Sequence, residues 1–257
     1  MIKNILSGIT AYSGALELIS KLKLWKYFAI PILISVLTAT IIGFSAYGLS
    51  DNIGHFLAKI WIWDWGKEVV TTIASVIGAI FVLVIGLILY KHIVLALSAP
   101  FMSAVSEKIE IHINGDLKHQ HRKTTFQEQL WRGIRINLRN LGKEILITIP
   151  ILLLKFIPVV NIFSTILLFL IQAYYAGFGN MDYTLERHFN YKESVHFVKR
   201  NRGIAIGNGI VFMLCLLIPV FGIILVLPLS VTAATVETVK LVQLKKENVV
   251  KNNIKIY

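Results

Sequence analysis

One lysine interrupts a long uncharged stretch in the second half of the chain. Ile145 to Leu154 and Phe156 to Met181 contain no charged residue, and Lys155 lies between them. An ammonium group in hydrocarbon is costly unless it faces water, a charged partner or an anion. Lys155 is therefore a candidate anion ligand, together with Asn161 just beyond Pro158. The alternative is that its long side chain reaches the membrane interface, where the charge is hydrated.

A second candidate lies near the start of the next uncharged stretch. Asn208 stands between Gly207 and Gly209, and Gly203 and Gly207 are spaced as G-x-x-x-G. Asn208 and Gly209 could form a backbone nest for an anion, since successive amide groups can line such a concavity. Close packing of two helices explains the same glycines and is the favoured interpretation.

The sequence contains no pattern that indicates an enzyme or a metal site. It has no P-loop, no nucleophile elbow, no HExxH and no pair of carboxylates on one plausible catalytic face. His112, His119 and His121 lack a metal-ligand spacing and are expected in a solvated loop. We therefore predict no catalytic residue, no metal and no cofactor.

The overall composition is that of a membrane protein. Of 257 residues, 56% are hydrophobic and 16% are charged, whereas a soluble domain has about 25% charged residues. Tyr27 to Leu49 and Val69 to Tyr90 are free of charge, and 23 residues make about 35 Å of helix, enough to cross a hydrocarbon core of about 30 Å. These stretches predict two long transmembrane helices, at about 27–49 and 69–98.

The two remaining apolar blocks each contain a proline near the middle. The segments around Pro158 and Pro219 both read I-P-V-x-x-I. Because proline breaks a helix, each block should fold as a helical hairpin with short arms that enters the bilayer only part way. We predict an all-α integral membrane protein, one membrane domain over 1–257, with two long transmembrane helices plus two proline-turned, partly inserted helical hairpins at 145–181 and 203–239.

The positive charge lies beside the membrane segments. With 26 Lys and Arg against 14 Asp and Glu, the net charge is +12, and the basic stretches flank the spans rather than forming one soluble basic domain. This argues against nucleic-acid binding and places the basic segments in the cytoplasm. The region 100–143 should hold an amphipathic helix whose apolar face includes Leu130 and Leu138. Its basic face, with Arg132 and Arg135, is expected to contact anionic lipid or to gather anions at a pore mouth.

Several short segments together resemble the CysZ sulfate permease family, within the superfamily of the etoposide-induced membrane proteins. Ala99-Pro100-Phe101 and Ser106-Glu107-Lys108-Ile109-Glu110 are similar to that family's A-P-F-x-x-x-x-(A/S)-E-x-(hydrophobic)-E segment. Further similar landmarks follow the family's order from about Ile19 to Lys240: Ile30-Pro31, Phe156-Ile157-Pro158, Asp182-Tyr183, Tyr191-Lys192-Glu193, Ile218-Pro219 and Leu227-Pro228.

The resemblance implies a multi-pass protein of the bacterial inner membrane that passes sulfate into the cytoplasm for cysteine synthesis, usually as a homo-oligomer. It also implies an oxyanion site just before the first span, where the family has Pro-Gly and then Arg-Arg. Those positions read Leu22-Lys23 and Trp25-Lys26 here. Lys23, Trp25 and Lys26 are therefore candidate substrate-binding residues.

Two functions follow from these observations. The first is a CysZ-like permease for sulfate or a related small anion, in contact with membrane lipids, in which Lys155, Asn161, Asn208 and Gly209 line a route through the oligomer. The second is a structural or interaction protein that keeps the membrane scaffold and has lost transport. It is motivated by the missing Pro-Gly and Arg-Arg, since only one arginine has a basic replacement and lysine is a point charge, not a bidentate fork.

Overall fold

The described residues of the computed structural model, 1–59, 65–115, 122–154, 157–218 and 221–254, contain helices and no β-strand. The helices are, in chain order, α1 (Ile2–Thr10), α2 (Ala15–Lys21), a 3₁₀ helix (Leu24–Tyr27), α3 (Ala29–Ala58), α4 (Lys67–Leu97), α5 (Ala99–Asn114), α6 (Phe126–Leu154), α7 (Pro158–Leu185), α8 (Tyr191–Arg200), α9 (Arg202–Leu216), α10 (Phe221–Ile224) and α11 (Val226–Ile254).

Three helices are long and apolar enough to cross a membrane, judged by length and composition. They are Ala29–Phe56 in α3, Lys67–Leu97, which is α4, and Val160–Leu185 in α7. The first two coincide with the predicted spans, although α3 continues well past residue 49. The third differs from the expected short arm, because no helix breaker follows Pro158 and the helix continues to Leu185. The chain is an all-helical, multi-pass membrane protein.

Helices α3 and α4 pack against each other in antiparallel directions, with glycines at the contacts. A Cβ on Gly78 would lie 2.8 Å from Cγ2 of Ile53, and one on Gly86 would lie 2.3 Å from Cγ2 of Ile42. Their outer sides present large apolar side chains such as Phe44, which is 71% exposed. This arrangement suits two helices that are surrounded by lipid.

Helix α6 continues without a break across the predicted boundary between the amphipathic region 100–143 and the first hairpin. Its inner side carries Asn137, Asn140 and Glu144, whereas Leu138 is 66% exposed. The side of α6 that carries these buried residues therefore faces protein, whereas Leu138 faces outward, as on a helix that borders lipid. The predicted basic face is divided, because Arg132 is partly buried while Arg135 and Lys143 are exposed.

Helices α1, α7 and α9 form a tightly packed group, closed by α11. The backbones of neighbouring helices come close at glycines. A Cβ on Gly177 of α7 would lie 1.9 Å from the Ala205 oxygen of α9, and one on Gly207 of α9 would lie 2.1 Å from the Ile5 oxygen of α1. Helices α7 and α9 run antiparallel, since Gly177 meets Ala205 and Gly209 meets Ala173, whereas α1 and α9 run parallel, since Gly203 meets Asn4 and Gly207 meets Gly8. Close helix packing, the favoured interpretation of the G-x-x-x-G spacing, is what the structure has.

The predicted hairpins fall on the end of α6 with α7, and on α9 with α10 and α11. Pro158 takes the first position of α7, where its missing N–H costs nothing. Lys155, Pro219, His119 and His121 lie outside the described residues. Helix α9, with 15 residues, is about 23 Å long and is shorter than a hydrocarbon core. Partial insertion of the two hairpins stays a prediction.

Candidate functional site

The segment before α3 holds the three residues that were expected to meet an anion first. Leu24 and Phe28 are fully buried and fix the 3₁₀ helix against the core, which leaves Lys23, Trp25 and Lys26 exposed. The Trp25 ring meets Phe28 edge to face, with centroids 6.1 Å apart, and its indole N–H points to the Ser20 hydroxyl at 3.4 Å. The structure therefore brings the two lysines and the indole together at one surface.

Lys23 has an unusual backbone conformation. Its φ of 52° and ψ of 42° lie in the left-handed region, the only such case outside glycine among the described residues. Glycine adopts this conformation without the steric cost that other residues incur. The family that this sequence resembles has glycine at this position. In this chain, lysine occupies a backbone conformation that suits glycine.

Lys108 joins this surface from α5. The Nζ atoms of Lys26 and Lys108 lie 5.3 Å and 5.5 Å from the centroid of the Tyr27 ring. The sequence indicated Lys108 only as one of many basic residues after the second span. Its position in the A-P-F segment gave no sign that α5 packs beside the 3₁₀ helix.

Asn208 is buried, at 1% exposure, and protein groups occupy its polar atoms. Its Nδ2 donates to the Ser230 carbonyl at 2.9 Å, its Oδ1 accepts from Asn180 at 2.8 Å, and its backbone oxygen accepts from the Tyr12 hydroxyl at 2.8 Å. These bonds join α7, α9, α11 and the segment between α1 and α2 at one point. In this conformation Asn208 has an evident structural role.

Gly209 and Asn161 lie apart from each other. A Cβ on Gly209 would lie 1.7 Å from the Ala173 oxygen, so Gly209 is part of the α7–α9 contact. Asn161 is exposed in the first turn of α7, and Asn180, the partner of Asn208, is nineteen residues further on, about 28 Å along the helix. Asn161 therefore does not share one site with Asn208 and Gly209 within a single chain.

A buried polar cluster at the carboxyl end of α7 was missed by sequence reasoning. Nη2 of Arg187 lies 3.1 Å from Oε2 of Glu110, and Nε2 of His188 lies 2.6 Å from Oε1 of the same carboxylate. Burial opposes ionisation of Glu110, but the hydrogen bonds and charges of His188 and Arg187 outweigh it and lower the pKa of Glu110 to about 2.

Glu186 in the same cluster is shifted in the opposite direction. Burial raises the pKa of Glu186 to about 7 and the charge of Asp182 adds to this, while a hydrogen bond from Ser103 and the charges of Arg187 and Arg132 oppose it. Two carboxylates of one cluster thus differ because only Glu110 has a direct cationic partner.

Arg132 does not face lipid headgroups. Its Nε and Nη2 donate to both oxygens of Asp182 at 3.0 Å and 2.9 Å, and Nη1 donates to the Phe189 carbonyl at 2.8 Å. The Arg135 guanidinium lies 4.2 Å from the centre of the Tyr191 ring. The expected lipid contact is wrong for Arg132, because its guanidinium is held by Asp182 of α7 and Ser194 of α8.

The structure also has a buried ionic group between α4 and α6. Nζ of Lys91 lies 2.6 Å from Oε1 of Glu144, and Nε2 of His92 lies 3.0 Å from Oε2 of the same residue. Charges in an apolar environment are stable only when they are paired in this way. In the described part of the chain, no three His, Cys, Asp or Glu side chains come together as metal ligands.

Comparison with known proteins gives consistent matches over most of the chain. The family described as "Sulfate transporter CysZ/Etoposide-induced protein 2.4" matches residues 11–227. Proteins named "Sulfate transporter CysZ" from Pseudomonas aeruginosa (strain LESB58) and Pseudomonas paraeruginosa (strain DSM 24068 / PA7) are each 26% identical, with 90% of this chain and 93% of theirs covered. One of the same name from Pseudomonas syringae pv. tomato is 29% identical over 54% of this chain and 55% of its own.

These matches confirm the resemblance and agree with the segments on which it was based. The family's description names a transporter and not an enzyme. The chain belongs to the Sulfate transporter CysZ/Etoposide-induced protein 2.4 family.

Proposed function

We propose that the protein passes sulfate, or a related small anion, across the bacterial inner membrane into the cytoplasm for sulfur assimilation. The observation that carries the proposal is the family match over 11–227, together with relatives named sulfate transporters that align over nearly their whole length. Multi-pass helices and a net charge of +12 support it.

Lys23, Trp25 and Lys26 are the proposed first contact of the anion. Both ammonium groups are exposed, and neither has an ion pair within the described ranges. An unpaired ammonium at the membrane surface attracts an oxyanion and donates to it. The left-handed turn at Lys23 supports the same placement, because it keeps the backbone form that glycine would take.

The route beyond this contact is a separate proposal. It uses Lys155, Asn161, Asn208 and Gly209 within a homo-oligomer that is surrounded by lipid. Because Asn161 and Asn208 lie near opposite ends of α7, a route through both would have to run the length of this helix, and Asn208 would have to release a protein partner.

Uptake of radiolabelled sulfate into proteoliposomes tests the proposal. Flux above that of empty vesicles is expected for the wild type, with a clear loss for the double variant Lys23→Ala/Lys26→Ala. The matched control is Lys192→Ala/Lys199→Ala, which removes two exposed lysines from α8 and should keep the flux. Equal flux with and without the protein would refute transport of sulfate.

The second candidate is a non-transporting structural or interaction protein on the same scaffold. It is favoured by the absence of the Arg-Arg pair and by the structural role of Asn208. A deletion strain that grows normally on limiting sulfate and shows only an envelope defect would support it. A growth defect that sulfate concentration corrects would count against it.

A further inference from the structure

Two ammonium groups from different helices converge on Tyr27. Lys26 belongs to the 3₁₀ helix and Lys108 to α5, and both Nζ atoms lie within 6 Å of the ring centroid, the range of a cation–π contact. The two Nζ atoms can therefore be no further apart than the sum of their distances to that ring.

These two like charges repel each other. Within the described residues, neither Lys26 nor Lys108 forms an ion pair, and both side chains are exposed. The attraction of each ammonium to the Tyr27 ring offsets little of this repulsion, because a cation–π contact exposed to water is weak. A small dianion that reaches both ammonium groups would relieve this repulsion by accepting hydrogen bonds from each.

The orientation of Lys108 is fixed by the buried residues of its own helix. Ser106 donates to the Tyr183 carbonyl at 2.9 Å, and Glu110 pairs with Arg187 at 3.1 Å, so this side of α5 is held against α7. Lys108 lies two residues from each, about 200° around the helix from both. Its side chain therefore leaves α5 on the opposite side, toward the 3₁₀ helix.

We infer that Lys108 is a third basic residue of the anion site and supplies the charge that Trp25 does not. This inference rests on the proposed function. The site then spans two parts of the chain, one before α3 and one after α4, and a tetrahedral oxyanion such as sulfate would bind across them. Each lysine binds such an anion as a single point charge and not as the bidentate fork of arginine. The affinity therefore depends on where the separate ammonium groups lie.

Equilibrium binding of radiolabelled sulfate to the purified full-length protein tests the inference. Lys108→Gln should weaken binding about two- to fivefold, the effect of losing one exposed ion pair, and Lys108→Arg should restore it. Lys192→Gln is the matched control, because it removes an exposed lysine of α8 and should leave binding unchanged.

The failures of the two proposals are distinguishable. If the wild type binds sulfate and Lys108→Gln binds it as tightly as Lys192→Gln does, Lys108 is not in the site and the proposed function stands. If the wild type binds no sulfate, both proposals are overturned. A loss for Lys108→Gln that Lys108→Arg does not restore, with a lowered unfolding temperature, would show a structural role and would also overturn the inference.

Discussion

Lys91 of α4 and Glu144 of α6 form an ion pair of 2.6 Å in which both side chains are at most 2% exposed. Removal of one partner leaves the other charge buried and unpaired, which costs about 3–5 kcal/mol. We therefore expect Lys91→Met or Glu144→Gln to lower the unfolding temperature of the detergent-purified protein strongly. The double variant Lys91→Met/Glu144→Gln should recover part of the loss.

The exposed pair of Arg122 and Glu128 is the control for this prediction. Its Nη2–Oε1 distance is 2.9 Å, and the two side chains are 61% and 47% exposed. Glu128→Gln should cost no more than about 1 kcal/mol, because water screens an exposed pair. Equal losses for Glu144→Gln and Glu128→Gln would show that burial does not set the strength of the α4–α6 pair.

Close backbone contact between α7 and α9 makes Gly209 intolerant of a side chain. A Cβ there would lie 1.7 Å from the Ala173 oxygen, so the two helices would have to separate. Gly209→Ala should destabilise the protein by about 1–3 kcal/mol or more. In contrast, Gly142→Ala, at a helical position with no atom within 4 Å, should stabilise it by up to about 1 kcal/mol.

Unfolding temperatures of the two glycine variants in the same detergent compare them directly. The opposite signs are the informative result, since both variants add one methyl group to a helical glycine. A loss of sulfate flux in Gly209→Ala without loss of stability would instead favour a direct role of Gly209 in transport.

The raised pKa of Glu186 predicts a dependence of stability on pH. Its pKa is about 7 in the folded protein against an ordinary 4.5, so the folded state holds the proton more tightly than the unfolded chain does. The resulting stabilisation is complete below about pH 4 and is lost as the pH rises through 7, by on the order of 3 kcal/mol. Glu186→Gln should remove this dependence while it keeps the oxygen that accepts from Ser103.

Unfolding temperatures of wild type and Glu186→Gln at pH 5 and pH 8 measure this effect. Compared with wild type at the same pH, Glu186→Gln should be more stable at pH 8 than it is at pH 5. Glu17→Gln, which changes an exposed carboxylate of α2, controls for the general charge effect. Parallel changes in wild type and Glu186→Gln would exclude the predicted titration.

The long spans could be predicted because uncharged length is a local property of the sequence. The buried cluster of Glu110, Arg187 and His188 could not, since it depends on α5 and α7 being adjacent, and nothing in the sequence spacing indicates that contact. The same holds for Arg132 of α6, which was expected to meet lipid headgroups or anions and instead pairs with Asp182 of α7.

The segments that carried the family resemblance turn out to be mainly structural. Ser106 and Glu110 hold α5 against α7, Asp182 pairs with Arg132, and the Tyr183 hydroxyl donates to the Leu95 carbonyl at 2.5 Å. Resemblance in these residues therefore indicates the fold more directly than the substrate. The residues proposed here to bind the anion lie before α3, where this chain departs from the family pattern.

The left-handed turn at Lys23 allows backbone shape and charge to be separated in one variant. Lys23→Gly removes the steric cost of a φ of 52°, but glycine also increases the conformational entropy of the unfolded chain. The expected net increase in the free energy of unfolding is about 1 kcal/mol or less. Lys21→Gly, at the last position of α2, should instead cost up to about 1 kcal/mol. If the ammonium of Lys23 attracts the anion, Lys23→Gly should take up sulfate more slowly than wild type although it is at least as stable. Uptake at the wild-type rate by a stable Lys23→Gly would show that the turn, and not the charge, is what this position contributes.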